Sequence, residues 1–138
     1  MDLSSPVVLL VEDNPDLRNL LHRILALEGF VCDCAENQIE AVLKVCANTV
    51  AVVADINLSE TGGDQRGGIN LAERLSQDRS IPVILISQTP WHYFPRGEQV
   101  SRKAWMRAHN VRAVLDRGDE EFANQLCGYL GEIMRREV

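Results

Sequence analysis

No apolar run in this sequence approaches the ~20 residues needed to cross a bilayer, so nothing in it reads as a membrane span. The opening residues, Met1 to Pro6, lack the basic start and apolar stretch of a signal peptide, so no secretory leader is expected. Cysteine is sparse, with Cys32, Cys34, Cys46 and Cys127 only. None has metal-ligand spacing, because Cys32-x-Cys34 has no second Cys/His pair to complete a tetrahedral site. On a strand that spacing puts Cys32 and Cys34 on one face, where they are expected to act as small apolar residues. Unpaired thiols suit a reducing, cytoplasmic setting. Internal repeats, low-complexity stretches and linkers are missing too. Net positive charge is also lacking: the balance is −6, which disfavours a general nucleic-acid binder. The charge is uneven, since residues 1–64 hold eleven acids against three Lys/Arg, and residues 96–117 hold six Lys/Arg against two acids. Solvated helix faces account for such a split without any partner.

What is present is a chain of 138 residues, 46% apolar, the size and composition of one globular domain spanning 1–138. Short apolar runs alternate with amphipathic stretches. Val7–Val11 is a continuous apolar run rich in β-branched valine, the pattern of a strand covered on both faces. Asn14-Pro15 reads as the cap and first residue of a helix carrying Leu17, Leu20, Leu21, Ile24 and Leu25, with Gly29 as its stop. A second strand is expected over Phe30–Ala35, and a helix marked by Ile39, Val42, Leu43 and Cys46. The third strand, Val50–Ala54, ends at Asp55 and leads into a glycine-rich loop. A helix with Ile69, Leu71, Ala72 and Leu75 follows, then a strand over Pro82–Ile86 with Ser87 at its end. A helix near Glu98–His109, a strand Val111–Leu115 and a last helix with Phe122, Leu126, Leu130 and Ile133 complete the pattern. Five strand–helix units predict an α/β doubly wound parallel sheet with helices on both faces.

In such sheets function gathers at the carboxyl ends of the strands. Those ends supply Glu12 and Asp13, Asp55, Ser87 and, two residues past the fifth strand, Arg117. If the first and third strands are neighbours, three carboxylates converge and repel one another unless a cation neutralises them. Oxygen donors around a small site suit Mg²⁺. Asp55 is then a candidate carboxylate nucleophile for phosphorus, with the Ser87 hydroxyl and the Arg117 cation to hold phosphoryl oxygens.

This constellation resembles the response-regulator receiver family of two-component signalling over nearly the whole chain. The family's opening stands here as Val8-Leu-Leu-Val-Glu12-Asp13-Asn-Pro, its phosphoacceptor segment as Val52-Val-Ala-Asp55-Ile-Asn57-Leu, and its hydroxyl position as Ser87 in Ile84-Leu-Ile-Ser87-Gln. The resemblance implies a flavodoxin-like strand order 2-1-3-4-5. It implies phosphorylation of Asp55 by a sensor histidine kinase or a histidine phosphotransfer protein. Mg²⁺ would be held by Asp13, Asp55 and the backbone carbonyl of Asn57, with Glu12 acting partly through water. A switch of this kind is not an enzyme. With no output module after the last helix, it is expected to signal through an unidentified downstream protein or to pass the phosphoryl group on.

Three positions depart from the family. Arg117 and Gly118 stand where the family has Lys and Pro, and Val114 stands where it has a switch aromatic. Val114 is β-branched and stiff, so it cannot relay a large rotamer change. The alternative reading is therefore a pseudo-receiver, an interaction module that keeps the fold without regulated phosphorylation. A phosphatase of haloacid-dehalogenase type is a more distant alternative, since Asn57 stands where that chemistry needs a second Asp. The aromatic segment with Trp91, Tyr93 and Phe94, followed by Trp105, is a candidate partner surface with Arg102, Lys103 and Arg107 at its rim. Its competing reading is a flap packed on its own domain. His22, His92 and His109 fall outside any cluster.

Overall fold

The computed structural model describes residues 5–58, 67–78, 80–88 and 99–137. Its elements alternate from end to end: β1 (Val7–Val11), α1 (Pro15–Leu27), β2 (Cys32–Ala35), α2 (Gln38–Lys44), β3 (Thr49–Asp55), α3 (Gly67–Asp78), β4 (Val83–Ser87), α4 (Gln99–Ala108), β5 (Val111–Asp116) and α5 (Phe122–Glu137). The five strands form one parallel sheet in the order β2-β1-β3-β4-β5. This is the doubly wound arrangement that the alternating pattern predicts, in the order that the family resemblance implies.

Two apolar layers sandwich the sheet. On one face Val8, Leu10, Val53, Ile84 and Ile86 meet Leu21 and Leu25 of α1 and Leu126 and Leu130 of α5. On the other, Leu9, Val52 and Leu85 meet Ala41 of α2 and Ile69, Leu71 and Leu75 of α3, with Trp105 and Met106 of α4 packed alongside. Because β1, β3 and β4 are covered on both sides, they carry continuous apolar runs rather than alternation.

Helix ends follow local chemistry. Asn14 caps α1, its side-chain oxygen accepting from the Leu17 N–H at 3.0 Å, with Pro15 at the first helical position. The same helix closes with Gly29 at φ +92°, where Gly29 N–H donates to Ala26 O and Phe30 N–H to Leu25 O. That paired closure requires a left-handed residue, which glycine adopts without a Cβ clash.

Several boundaries differ from the sequence expectation. β2 begins at Cys32 rather than Phe30, and Ser87 lies inside β4. α2 ends at Lys44, so Cys46 stands outside it, donating its thiol to Asn48 Oδ1 at 2.7 Å. The expected apolar face of α2 is also wrong in part. Ile39 is 69% exposed and Leu43 is 80% exposed, because this two-turn helix seats itself through Ala41 and Val42. Leu20 of α1 likewise faces outward. Cys32 and Cys34 do share one face, half-buried beside Cys127 on the α1/α5 side. Burial, and then the neighbouring Cys34 and Cys127 thiols, push the Cys32 thiol up to about 11.

Candidate functional site

The pairing of β1 with β3 sets Val11 opposite Ala54, which puts Glu12, one residue past β1, alongside Asp55 at the last position of β3. Asp55 in turn lies opposite Ile86, and Ser87 opposite Asp116, so Arg117 follows directly from β5 into the same crevice. Glu12, Asp13, Asn14, Leu17, Asp55, Asn57 and Arg117 line one pocket of about 140 Å³. The convergence of three carboxylates and a late cation is therefore present in space.

Each group is held by its backbone. Glu12 N–H donates to Ala35 O at 3.0 Å, and the Glu12 carbonyl accepts from Arg18 Nη1 at 2.9 Å. Glu12 Oε2 accepts from the Asn14 N–H at 3.1 Å, whereas Oε1 is buried without a hydrogen-bond partner. Asp55 is 3% exposed, and its Oδ1 accepts from the Asn57 N–H at 3.0 Å. Its other oxygen, Oδ2, faces Arg117 Nη2 at 3.7 Å. Arg117 N–H donates to Ser87 O at 2.9 Å, which ties β5 to the end of β4. Behind the site the first turn of α3 crosses so close to β3 that a Cβ on Gly68 would overlap the Asp55 carbonyl and Ile56 Cα. Only glycine allows this approach, and the Gly68 N–H donates to Ile56 O at 2.9 Å.

The electrostatics match three crowded acids that are all buried. Burial first, then the closeness of the Asp55 carboxylate, push the Glu12 carboxyl up to about 9. The orphaned Glu12 Oε1 and the surrounding carboxylates are a hard, all-oxygen donor set that fits Mg²⁺. Among the described residues no group of three or more His, Cys, Asp or Glu side chains is placed to hold a metal ion on its own. An open set is what Mg²⁺ takes, since it keeps several waters and needs only one or two carboxylates from protein.

Ser87 is buried at the adjoining strand end. Val114 is half-buried two positions earlier on β5 than Asp116 and packs against the α2–α4 layer, with Trp105 and Met106 in the same layer. Trp91, Tyr93 and Phe94 lie outside the described residues. Trp105 packs inward, its Nε1 donating to Glu73 Oε2 of α3 at 3.2 Å and its ring 5.1 Å from that of His109. His109 is not isolated as expected: its Nδ1 lies 2.8 Å from Ser76 Oγ. The sequence reading missed Arg18, which props Glu12 from one turn past the cap and also pairs with Glu36 at 3.7 Å. The helical phase from Asn14 to Arg18 carries that signal. It missed Gly68 as well, whose place in a glycine run hid its particular constraint.

Comparison with known proteins agrees with this geometry. The model of the response regulator receiver domain family matches residues 8–92. A curated relative, the transcriptional regulatory protein CpxR homolog of Haemophilus influenzae, is 28% identical over 95 residues, 69% of this chain. The chain spans 37% of that relative's length. Among solved structures, a two-component response regulator from Clostridium difficile superposes with a TM-score of 0.71 at 19% identity, over 96% of this chain and 98% of that one. Response regulator protein TrrA from Thermotoga maritima, in complex with Mg²⁺-BeF, gives 0.69 at 23% identity over 93% and 98%. A CheY-like receiver domain protein from Methanospirillum hungatei gives 0.70 at 17% identity over 97% and 98%. Phosphorylation and Mg²⁺ are general to this family, whose domains are signalling switches rather than conventional enzymes. With a family model covering most of its length and the family's fold throughout, the chain belongs to the response-regulator receiver domains.

Proposed function

We propose that residues 1–138 form a single receiver domain whose Asp55 accepts a phosphoryl group from a sensor histidine kinase or a histidine phosphotransfer protein. The observation that carries this reading is the shared pocket of Glu12, Asp13, Asp55, Asn57 and Arg117 at the ends of β1, β3 and β5. In the transfer, an Asp55 carboxylate oxygen bonds to phosphorus as the donor's N–P bond breaks, and the electron pair leaves on the imidazole nitrogen. Asn57 N–H holds Oδ1 and so orients the carboxylate. Arg117 lowers the cost of the incoming charge, with Ser87 at the neighbouring strand end to receive a phosphoryl oxygen. Glu12, Asp13, Asp55 and the Asn57 carbonyl would hold Mg²⁺, which supplies charge neutralisation between carboxylates and phosphoryl oxygens.

A histidine phosphodonor must reach this crevice. Beside it runs a groove of about 260 Å³ lined by Leu17, Leu20, Ile24, Gly118 and Phe122, with Arg117 at its end. Leu20 is 54% exposed there, the kind of apolar anchor that an amphipathic partner helix covers. The output partner is a further protein, and a cytoplasmic setting goes with this reading. Among the described residues no helix is long and apolar enough to cross a membrane. One observation favours the pseudo-receiver reading: Val114 offers no aromatic to relay the event. Intact mass after treatment with acetyl phosphate and Mg²⁺ separates the two. The expected result is a gain of one phosphoryl group in the wild type and none in Asp55→Asn. No gain in either, or an equal gain in both, refutes the assignment.

A further inference from the structure

Of the cations concentrated in residues 96–117, only Arg117 serves the acidic crevice. Three others meet at the opposite end of the sheet. There α4 ends, the edge strand β5 begins, and Lys103, Met106, Arg107, Asn110, Val111 and Arg112 line a bowl of about 370 Å³. That volume lies in the range of small-molecule sites. The bowl stands at the amino ends of the parallel strands, whereas Asp55 closes the carboxyl end of β3.

Asn110 builds this corner. Its backbone adopts φ +55°, a left-handed conformation that asparagine tolerates better than most residues. Its Nδ2 donates to Ser80 O at 2.9 Å and its carbonyl accepts from Val83 N–H at 3.0 Å, which ties the turn to the start of β4. Asn110 Oδ1 also accepts from Arg112 Nε at 2.7 Å. With Nε held, the guanidinium keeps its two terminal nitrogens for another acceptor. Lys103 and Arg107 stand one turn apart on α4, a spacing at which like charges repel. At that same spacing α2 and α5 place an acid, Glu40 beside Lys44 and Glu132 beside Arg136. Among the described residues no carboxylate pairs with Lys103, Arg107 or Arg112. The helix dipole accounts for Arg107 in the last turn of α4, but not for the other two. Half-buried Met106 and buried Val111 add an apolar lining beside these cations.

We propose that this bowl binds a nucleoside phosphate, with its phosphates on Lys103, Arg107 and Arg112 and its base against Met106 and Val111. Three converging cations match a multiply charged phosphate, which the arginine fork meets with paired N–H groups. The polarisable Met106 thioether suits contact with a flat aromatic ring. This is a second site, separate in place and chemistry from the phosphoryl acceptor.

The test titrates the full chain, in chelator and without Mg²⁺, with ADP and separately with pyrophosphate, following backbone amides in ¹H–¹⁵N spectra. ADP is expected to shift Met106, Val111 and Arg112. It should bind about tenfold more tightly than pyrophosphate, because only the nucleotide brings a ring to the apolar lining. The double variant Arg107→Gln/Arg112→Gln is expected to lose about tenfold or more in ADP affinity at unchanged thermal stability. Unmoved amides at those three positions in millimolar ADP overturn the site, a reading on the wild type that needs no variant. Pyrophosphate binding as tight as ADP overturns the assignment to a nucleoside phosphate, and so does undiminished ADP binding by the folded double variant. If ADP moves nothing and sedimentation shows a dimer that the double variant abolishes, the face belongs to a second copy of the chain and the proposal fails.

Discussion

Glu12 makes the stability of the metal-free protein depend on pH in a direction opposite to that of most carboxylates. Its folded-state value stands at about 9 against an ordinary 4.5. Between those values the folded state keeps a proton that the unfolded chain has lost, so the free energy of unfolding falls as pH rises. The stabilisation is fully present below pH 4.5 and disappears as pH climbs through about 9. At about 1.36 kcal/mol per unit the full difference sets a ceiling near 6 kcal/mol. The pocket opens to water on one side, which relieves part of the desolvation that dominates the shift, so the expected loss is a fraction of that ceiling, on the order of 2 kcal/mol. For a domain of this size that is roughly 10 °C in melting temperature. The assay is thermal unfolding in chelator across pH 5 to 9, for wild type and Glu12→Gln side by side. The glutamine variant removes the titration, so the difference between the two curves isolates Glu12. Mg²⁺ binding, which favours the carboxylate, should also release close to one proton at neutral pH in the wild type and none in the variant, read by calorimetry in two buffers of different ionisation heat. Parallel wild-type and variant curves, with no proton release, would refute the reasoning.

Gly68→Ala should cost about 2–3 kcal/mol in urea unfolding, because its Cβ overlaps the Asp55 carbonyl and the strand must shift. It should also slow acetyl phosphate labelling; unchanged stability would mean that α3 can retreat freely. Trp105→Phe keeps an aromatic ring but loses the bond to Glu73 and part of the indole's packing, so about 2 kcal/mol of stability should disappear. Glu73→Gln should lose less, since an amide oxygen still accepts from the indole. Equal stability of all three proteins would place the indole in solvent.

How far the sequence told this in advance depended on how each residue earns its place. The strands were legible because burial on both faces leaves no room for polar residues. Val8, Leu10, Val52, Val53, Ile84 and Leu85 are all fully covered, and their runs announce it. The strand-end residues followed from the topology, since a doubly wound sheet allows one crevice for Glu12, Asp55 and Arg117. Side-chain direction was less legible. Ile39 and Leu43 satisfy helical spacing as well as any core pair, but α2 is so short that Ala41 seats it and the larger side chains point outward. For Trp105 the sequence left two readings open, a partner anchor beside three cations and a segment packed on its own domain. Its indole finds an acceptor on α3, a contact that no local pattern encodes. The unsatisfied Arg117 Nε was also beyond the sequence, which shows a cation but not which of its nitrogens lacks a partner.

The neighbour relations of β1 have a consequence for how the chain folds. Its two flanking strands are β2, which follows after a single helix, and β3, which arrives only after a second crossover. Until β3 docks, one whole edge of β1 offers unpaired N–H and C=O groups, and the apolar side chains of Val8 and Leu10 have half their cover. Closing these longer loops before the sheet can reward them slows parallel topologies. Glu12 and Asp55 sit on the two sides of that last junction, so the acidic crevice comes into being only when the centre of the sheet zips shut. A nascent or partly unfolded chain therefore lacks the crevice that the proposed cation and phosphoryl chemistry needs, and under that proposal a working site reports that the centre of the sheet is complete.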